Sequence, residues 1–305
     1  MKKVLLLAGP TAVGKTDISL KLAEMLQGEI ICADSMQIYK EMTIGTAKPT
    51  AEELSRCQHH LFDFVSPDQK YSVSDYKRDA TERILHLLKH HIQPIVTGGT
   101  GLYFNALMYQ MDFSNQRPDT GLRDELTIYA QEKGREALYQ RLIASDPERA
   151  KDVHPNNIHR VIRAIEIAEL GTQKQHAFIE LHQKNMDFDY ELIVLDRDRD
   201  ELYDRINLRV DLMIKDGLFD EVKSLMDKGL TATDQSMKGI GYKEIIAYYE
   251  GAIGYNETIE RIKQNSRHYA KRQITWFKRY KNAKWFNLSK VDVYNGMFGD
   301  IISNI

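Results

Sequence analysis

Eight consecutive residues near the start of the chain, Gly9-Pro10-Thr11-Ala12-Val13-Gly14-Lys15-Thr16, have the spacing GxxxxGK[ST]. Such a loop binds phosphate. Its backbone N–H groups form an anion nest, Lys15 adds a full positive charge, and the Thr16 hydroxyl can ligate Mg²⁺. The context agrees, with the apolar run "VLLLA" before the loop and "TDISLKLAEML" after it, where Ile18, Leu22 and Leu26 share one helical face. Phosphoryl transfer at such a loop usually needs an acid at the end of a neighbouring strand. The run "QPIVT" ends instead in Thr97-Gly98-Gly99-Thr100-Gly101, and Asp196, which ends "ELIVLD", lies far along the chain. The loop alone therefore leaves open whether its phosphate is cleaved, transferred or expelled.

Asp34 ends the apolar run "EIICA" and is placed to act as a general base, to ligate a metal through water, or simply to cap the turn that follows. "GGTGLY" is a second turn of small residues before a helix. Two anion-facing turns in one cleft suit a diphosphate gripped from both sides. "CQHH" at 57–60 lacks the spacing and the second ligand pair of a zinc site. The stretch 261–284 carries nine Lys or Arg and no acid, on a chain of net charge −2, and is the candidate nucleic-acid surface. On a helix, Tyr269, Gln273, Trp276 and Tyr280 share one face, to pack inward or to stack on bases, and Arg267, Lys271 and Lys278 line the flank.

These residues need a scaffold. Strands alternating with amphipathic helices predict an α/β fold with a parallel sheet, in which ligands sit beyond the carboxyl ends of the strands. Gly28 reads as the stop of the first helix, and Thr50 with Glu53 as a capping box. "SDYKRDATERILHLLKH" reads as a helix with Tyr76, Ala80, Ile84, Leu87 and Leu88 inward. From about residue 112 the pattern turns helical. "PNNIHRVIRAIEIAELG" has Pro155 at a first turn, Gly171 as a stop, and an apolar stripe of Ile158, Val161, Ile162 and Ile165. The expected layout is a P-loop NTPase-like core flanked by helices, residues 1–111 and 191–305, interrupted by a helical insertion domain, residues 112–190. No apolar run is long enough for a membrane span. The two cysteines, Cys32 and Cys57, form no CxxC pair, which fits a reducing cytoplasm.

The motifs "GPTAVGKT", "DSMQIYKEMTIGTAKPT", "HHLFDF", "YSVSDY", "GGTGLY", "HPNNIHRVIRAIEI", "MKGIGYKE" and "AKRQITWFKR" occur in that order. In them the chain resembles the bacterial tRNA dimethylallyltransferases, also called tRNA isopentenyltransferases, over nearly its whole length. The resemblance implies transfer of a dimethylallyl group from its diphosphate to N6 of the adenine on the 3′ side of the anticodon. It implies that Gly9–Thr16 holds the diphosphate, with Mg²⁺ on Thr16, that Asp34 accepts the N6 proton, and that Thr100 and Arg209 act on the diphosphate, Arg205 being a rival for the latter role. Residues matching the family's tRNA contacts are Asp34, Ser35, Met36 and Gln37, Thr100, Arg123, His159, Arg160 and Arg163, Lys238 and Lys243, and Lys271, Arg272 and Lys278. The implied partners are the tRNA anticodon stem-loop and dimethylallyl diphosphate, the implied cofactor is Mg²⁺, and a cytoplasmic monomer without membrane contact is expected. A P-loop kinase of a small metabolite or nucleoside is the alternative, and an RNA-binding protein switched by nucleotide is another.

Overall fold

The computed structural model describes residues 3–111, 120–169, 183–185 and 187–303. The chain divides into two compact units, Met1–Gln110 with Gln183–Ile305, and Met111–His182. It re-enters the first unit at Gln183 rather than at residue 191, because Gln110 N donates to Gln183 O at 2.8 Å and Asn185 N to Met108 O at 2.8 Å.

The first unit begins with β1 (Val4–Ala8), α1 (Lys15–Leu26), β2 (Gly28–Ala33), α2 (Ala51–Arg56), β3 (His59–His60), α3 (Val73–Lys89), β4 (Gln93–Gly98) and α4 (Gly101–Met108). Every residue of β1 is wholly buried, which is why the run is continuously apolar instead of alternating. Thr50 and Glu53 close the expected capping box at α2, and Ser72 with Asp75 closes another at α3. Gly28 does not stop α1. Gln27 takes the left-handed conformation there, with φ 50°, and Gly28 opens β2.

The second unit holds α5 (Thr120–Ser145), broken at Gly134, then α6 (Pro147–Ala150) and α7 (Ile158–Glu169). Leu126, Leu138, Leu142, Val161, Ile162 and Ile165 form its core, whereas Ile158 is exposed. Pro155 precedes α7, and Asn157 caps it, its Oδ1 accepting from Arg160 N at 3.2 Å. Gly171 lies outside the described residues. Glu166 is completely buried and accepts from Arg123 Nε and Nη2 at 2.9 and 2.7 Å and from Arg163 Nη1 at 3.1 Å.

The first unit resumes with β5 (Tyr190–Asp196), α8 (Arg199–Lys215), α9 (Leu218–Asp227), α10 (Tyr242–Tyr249), α11 (Tyr255–Phe277), β6 (Lys284–Asn287) and α12 (Val291–Ile302). Strand β6 and helix α12 extend the core beyond the helical run that the sequence suggests. The six strands form one parallel sheet in the order β3-β2-β4-β1-β5-β6. Register fixes the site: Ala8 pairs with Gly98, and Gly98 with Ala33, so Gly9, Gly99 and Asp34 leave the sheet side by side.

The Glu166 cluster gives the second unit a polar anchor. Removing one partner of a buried ion pair is strongly destabilising, less so where the other partner reaches solvent, and Arg123 is 44% exposed. Glu166→Ala should therefore cost about 2–3 kcal/mol of stability, at the low end for such pairs. Urea unfolding followed by helical circular dichroism tests this, and an unshifted midpoint would show the ion pair to be idle.

Candidate active site

A loop whose amides face inward must turn its carbonyls outward, and here cations hold them. Lys15 Nζ donates to Gly9 O at 3.0 Å and Pro10 O at 2.8 Å. Arg205 Nε donates to Ala12 O and Arg197 Nε to Val13 O, both at 2.9 Å. Ala12 has φ 63°, a left-handed conformation that costs a non-glycine residue about 1–2 kcal/mol, so the Arg205 bond fixes a strained turn. Gly14 follows with φ 105° at the start of α1, where a side chain would be strained as well. The first-turn amides of α1 have the orphan donors of any helix start, so the loop ends in an anion site.

Two cavities open around this loop. The first, of about 410 Å³, has Thr11, Lys15, Thr16, Asp34 and Arg209 in its polar wall, and Ile30, Cys32, Phe62, Leu208 and Leu212 among its apolar residues. The second, of about 330 Å³, is walled by Met36, Lys238, Lys243 and Arg272 among others. Asp34, Arg209 and Tyr269 belong to both walls. Desolvation lowers the Lys15 ammonium to about 8, against the opposing pull of Asp34, with Arg209 adding a smaller lowering effect. The Arg209 guanidinium is also pushed down, first by burial, while Asp34 pulls it up.

Asp34 caps the turn that follows it and also borders the cavities. Its Oδ1 accepts from Met36 N at 2.9 Å and Gln37 N at 3.4 Å, which caps the turn. Oδ2 accepts no hydrogen bond from the described residues, and the carboxylate borders both cavities. Arg209 shares that position. Arg205 also borders the first cavity, with its Nε on the loop carbonyl, whereas Arg209 borders both cavities.

Other expected residues fall elsewhere. Thr100 lines neither cavity. Its hydroxyl accepts from Ser35 N at 3.0 Å and donates to Ser35 Oγ at 3.3 Å, so it holds the Asp34–Gln37 turn. Gly9, Pro10 and Val13 form the base of the loop, while Thr11, Ala12, Gly14, Lys15 and Thr16 face the cavity. Asp196 is not in the cavity wall although β5 is adjacent to β1. Lys271 on α11 and Lys278 just beyond its end are exposed, and Arg272 lies over the Tyr269 ring, 5.8 Å from its centroid. Trp276 and Tyr280 pack inward: Trp276 Nε1 donates to Tyr280 Oη at 3.3 Å, and Tyr280 Oη bonds Asn105 Oδ1, so Tyr280 is unavailable for base stacking. In the second unit, His159 and Arg160 are exposed, while Arg123 and Arg163 grip Glu166.

Several residues shape the site in ways that the motifs do not disclose. Glu221 accepts from Thr43 N, Ile44 N and Gly45 N at 2.8, 2.7 and 3.0 Å and from Tyr242 Oη at 2.6 Å, which pins the strip that walls both cavities. Arg197 and Gln273 tether the loop. For Gln273 the signal is present in the sequence, as an amide in an otherwise aromatic stripe. For Glu221 and Arg197 there is none.

The parallel sheet, the phosphate loop and the paired cavities define a P-loop-type α/β protein with an anion site opening beside a second pocket. The model of the IPP transferase family matches residues 37–280, and that of the isopentenyl transferase family matches residues 2–66. The tRNA dimethylallyltransferase of Alkaliphilus oremlandii is 50% identical over 95% of this chain and 93% of its own, and that of Bacillus subtilis is 43% identical over 94% and 91%. The solved tRNA isopentenylpyrophosphate transferase of Bacillus halodurans has a TM-score of 0.74 at 42% identity, covering 100% of this chain and 96% of its own. A eukaryotic dimethylallyltransferase solved acting on tRNA has a TM-score of 0.79 at 26% identity, covering 100% and 80%. The chain belongs to the IPP transferase family, the tRNA dimethylallyltransferases.

The lowered Lys15 makes anion binding pH-dependent. A lysine is charged below its pKa, so the attraction is complete below about 8 and is lost above it. Affinity for a diphosphate should fall about tenfold between pH 7.5 and 9, with proton uptake on binding at the higher pH. Titration calorimetry in buffers of different ionisation enthalpy measures both. The Lys15→Arg variant should lose the dependence, and an equal slope in that variant would assign the effect to another group.

Proposed function

We infer that this enzyme is a tRNA dimethylallyltransferase. It transfers a dimethylallyl group from dimethylallyl diphosphate to N6 of the adenine 3′-adjacent to the anticodon and releases diphosphate. The observation that carries the reading is the position of Asp34 and Arg209 in the wall common to an anion cavity and a second pocket edged by Lys238, Lys243 and Arg272. Donor and acceptor enter from different sides and meet at one carboxylate. A phosphoryl-transfer kinase is disfavoured, since β4 ends without an acid.

The loop and the first turn of α1 bind the diphosphate, and the apolar wall receives the dimethylallyl chain. The C–O bond to the diphosphate breaks as the N6 lone pair bonds to the same carbon. Adenine N6 is a weak nucleophile because its lone pair is delocalised into the ring. It becomes acidic as the new bond forms, and Asp34 Oδ2 takes the proton late in the transfer. Lys15 and Arg209 offset the charge that develops on the leaving group. Thr100 acts through Ser35 to hold Asp34 in place.

The donor set fits Mg²⁺. Thr16 and Asp34 present hard oxygens to the same cavity, and no cluster of three or more His, Cys, Asp or Glu occurs among the described residues, as suits an ion that completes its shell with water and substrate phosphate. Thr16 would hold it, and it would supply charge to the diphosphate. On the RNA side, Ser35, Met36, Gln37, Lys238, Lys243 and Arg272 meet the target nucleotide, which must leave its stack to enter the pocket. Lys271 and Lys278 meet phosphates, and the helical unit adds His159 and Arg160. Arg123 and Arg163 contribute chiefly by fixing that unit. No helix among the described residues is long and apolar enough to cross a membrane, and the tRNA substrate places the enzyme in the cytoplasm.

The direct test is incubation with tRNA and labelled dimethylallyl diphosphate, in parallel with ATP labelled at its γ-phosphate. Label should reach RNA from the first donor alone. Asp34→Asn removes the base but keeps its size, and loss of a general base costs about 10²–10⁴ in rate. Turnover should fall by that range while diphosphate affinity holds, and near-wild-type turnover would remove Asp34 from the mechanism.

Each phosphate contact contributes roughly 0.7–0.9 to the slope of log K against log salt. Changing Lys271 and Lys278 together to alanine should flatten the slope of tRNA binding by about 1.4–1.8, with little change in sequence preference. A salt titration by filter binding measures it, and an unchanged slope in the folded variant would leave this part of α11 without an RNA role.

A further inference from the structure

Gln273 sits on α11 with 5% of its surface exposed, between the two glycine-rich turns. Its Oε1 accepts from Thr11 N at 2.8 Å and its Nε2 donates to Gly99 O at 3.0 Å. Both ends of the carboxamide are therefore satisfied by backbone, one from each turn. The fit explains Gly99, since a Cβ there would lie 2.1 Å from Gln273 Nε2. Thr100, the residue after Gly99, bonds Ser35, and the Asp34 carboxylate receives Met36 N. Gln273 therefore ties the phosphate loop to the turn whose next residue holds the segment that presents Asp34.

We propose that Gln273 is a positioning residue for transfer, setting the separation between the donor's diphosphate loop and the carboxylate that receives the acceptor's proton. It borders the first cavity, but both ends of its carboxamide are engaged by loop backbone, so it acts through those loops. An in-line displacement at carbon needs leaving group, carbon and nucleophile aligned within a fraction of an ångström, and the two halves of this alignment sit on different loops. One rigid amide bridges those loops across 262 residues of sequence at one end and 174 at the other. No hydrophobic side chain can do this, because its removal of both hydrogen bonds leaves Thr11 N and Gly99 O free to move apart. The proposal rests on the transferase reading above.

The test separates positioning from support. Gln273→Met keeps volume and loses both bonds. The variant should melt cooperatively but at a lower temperature, because Thr11 N and Gly99 O lose their partners, and tRNA affinity should stay near wild type, while the single-turnover transfer rate with both substrates saturating should fall about 100-fold, the scale of a 1 Å misplacement. Gln273→Glu adds a signature that a structural role would not move. Protonated, its carboxyl again accepts from Thr11 N and donates to Gly99 O; ionised, it repels that carbonyl. Relative to wild type at the same pH, its rate deficit should shrink about tenfold from pH 8 to pH 6, since the neutral acid restores the bridge. Wild-type enzyme in the same assay reports on the transferase reading itself. If wild type transfers label and the Met variant stays within about threefold of it, far short of the misplacement penalty, positioning by Gln273 is overturned. If the Met variant fails to fold, the Glu variant decides, and a pH-independent deficit there overturns the proposal.

Discussion

The site depends on how the phosphate loop disposes of its carbonyls. Backbone amides can converge on an anion only if the oxygens between them point away and find donors of their own, because an unpaired buried carbonyl is as costly as an unpaired amide. Four tethers meet this need, from Lys15 to Gly9 O and Pro10 O, from Arg205 to Ala12 O, and from Arg197 to Val13 O. The arginines come from β5's end and from α8, so the loop is shaped by chain that arrives nearly two hundred residues later. That arrangement also tolerates the left-handed Ala12, whose strain is held by its neighbours. Lys15 is bound to the loop in this state, and desolvation lowers its ammonium to about 8.

Once the loop is fixed, sheet register does the rest. Because Ala8, Gly98 and Ala33 are aligned, the residues that follow them emerge at one edge, and Asp34 stands two strands from the phosphate loop instead of beside it. In a phosphoryl-transfer enzyme an acid is wanted near the metal and the γ-phosphate. Here the carboxylate instead borders both cavities, one strand further from the loop than β4.

What the sequence disclosed follows from the range of each signal. The loop, the capping box at Thr50–Glu53, the buried stripe of α3 and the strand-end position of Asp34 are local patterns, and all were legible. Gly28 misled because the C′ residue of a helix is read from glycine, while Gln27 took that conformation and left glycine to the strand. Arg205 and Arg209 were inseparable on paper, being four residues apart on one helix; in the structure Arg205 holds the loop carbonyl and borders the first cavity, whereas Arg209 borders both. Thr100 was placed on the diphosphate, yet its hydroxyl is spent on Ser35. The partners of Gln273, Glu221 and Arg123 could not be read from the sequence, since each is set by tertiary contact alone.

The basic stretch shows how structure converts a count into a surface. Of its nine cations, Arg261 pairs with Glu257, Lys263 with Asp211 and Lys284 with Glu191, at 2.6, 2.7 and 2.7 Å, while Arg267 bonds Asn207 and Arg279 lies over Trp276. Lys271, Arg272, Lys278 and Lys281 form no ion pair with the described residues. Absence of acids within the stretch therefore does not leave it bare, because acids from α8 and β5 reach it from outside. The charge left to solvent gathers at the C-terminal half of α11 and just beyond it, on the helix whose inner face carries Tyr269 and Gln273. The helix that carries these cations on its outer face is thus the one whose inner face ties the Gly9–Thr16 loop to the Gly98–Gly101 turn through Gln273.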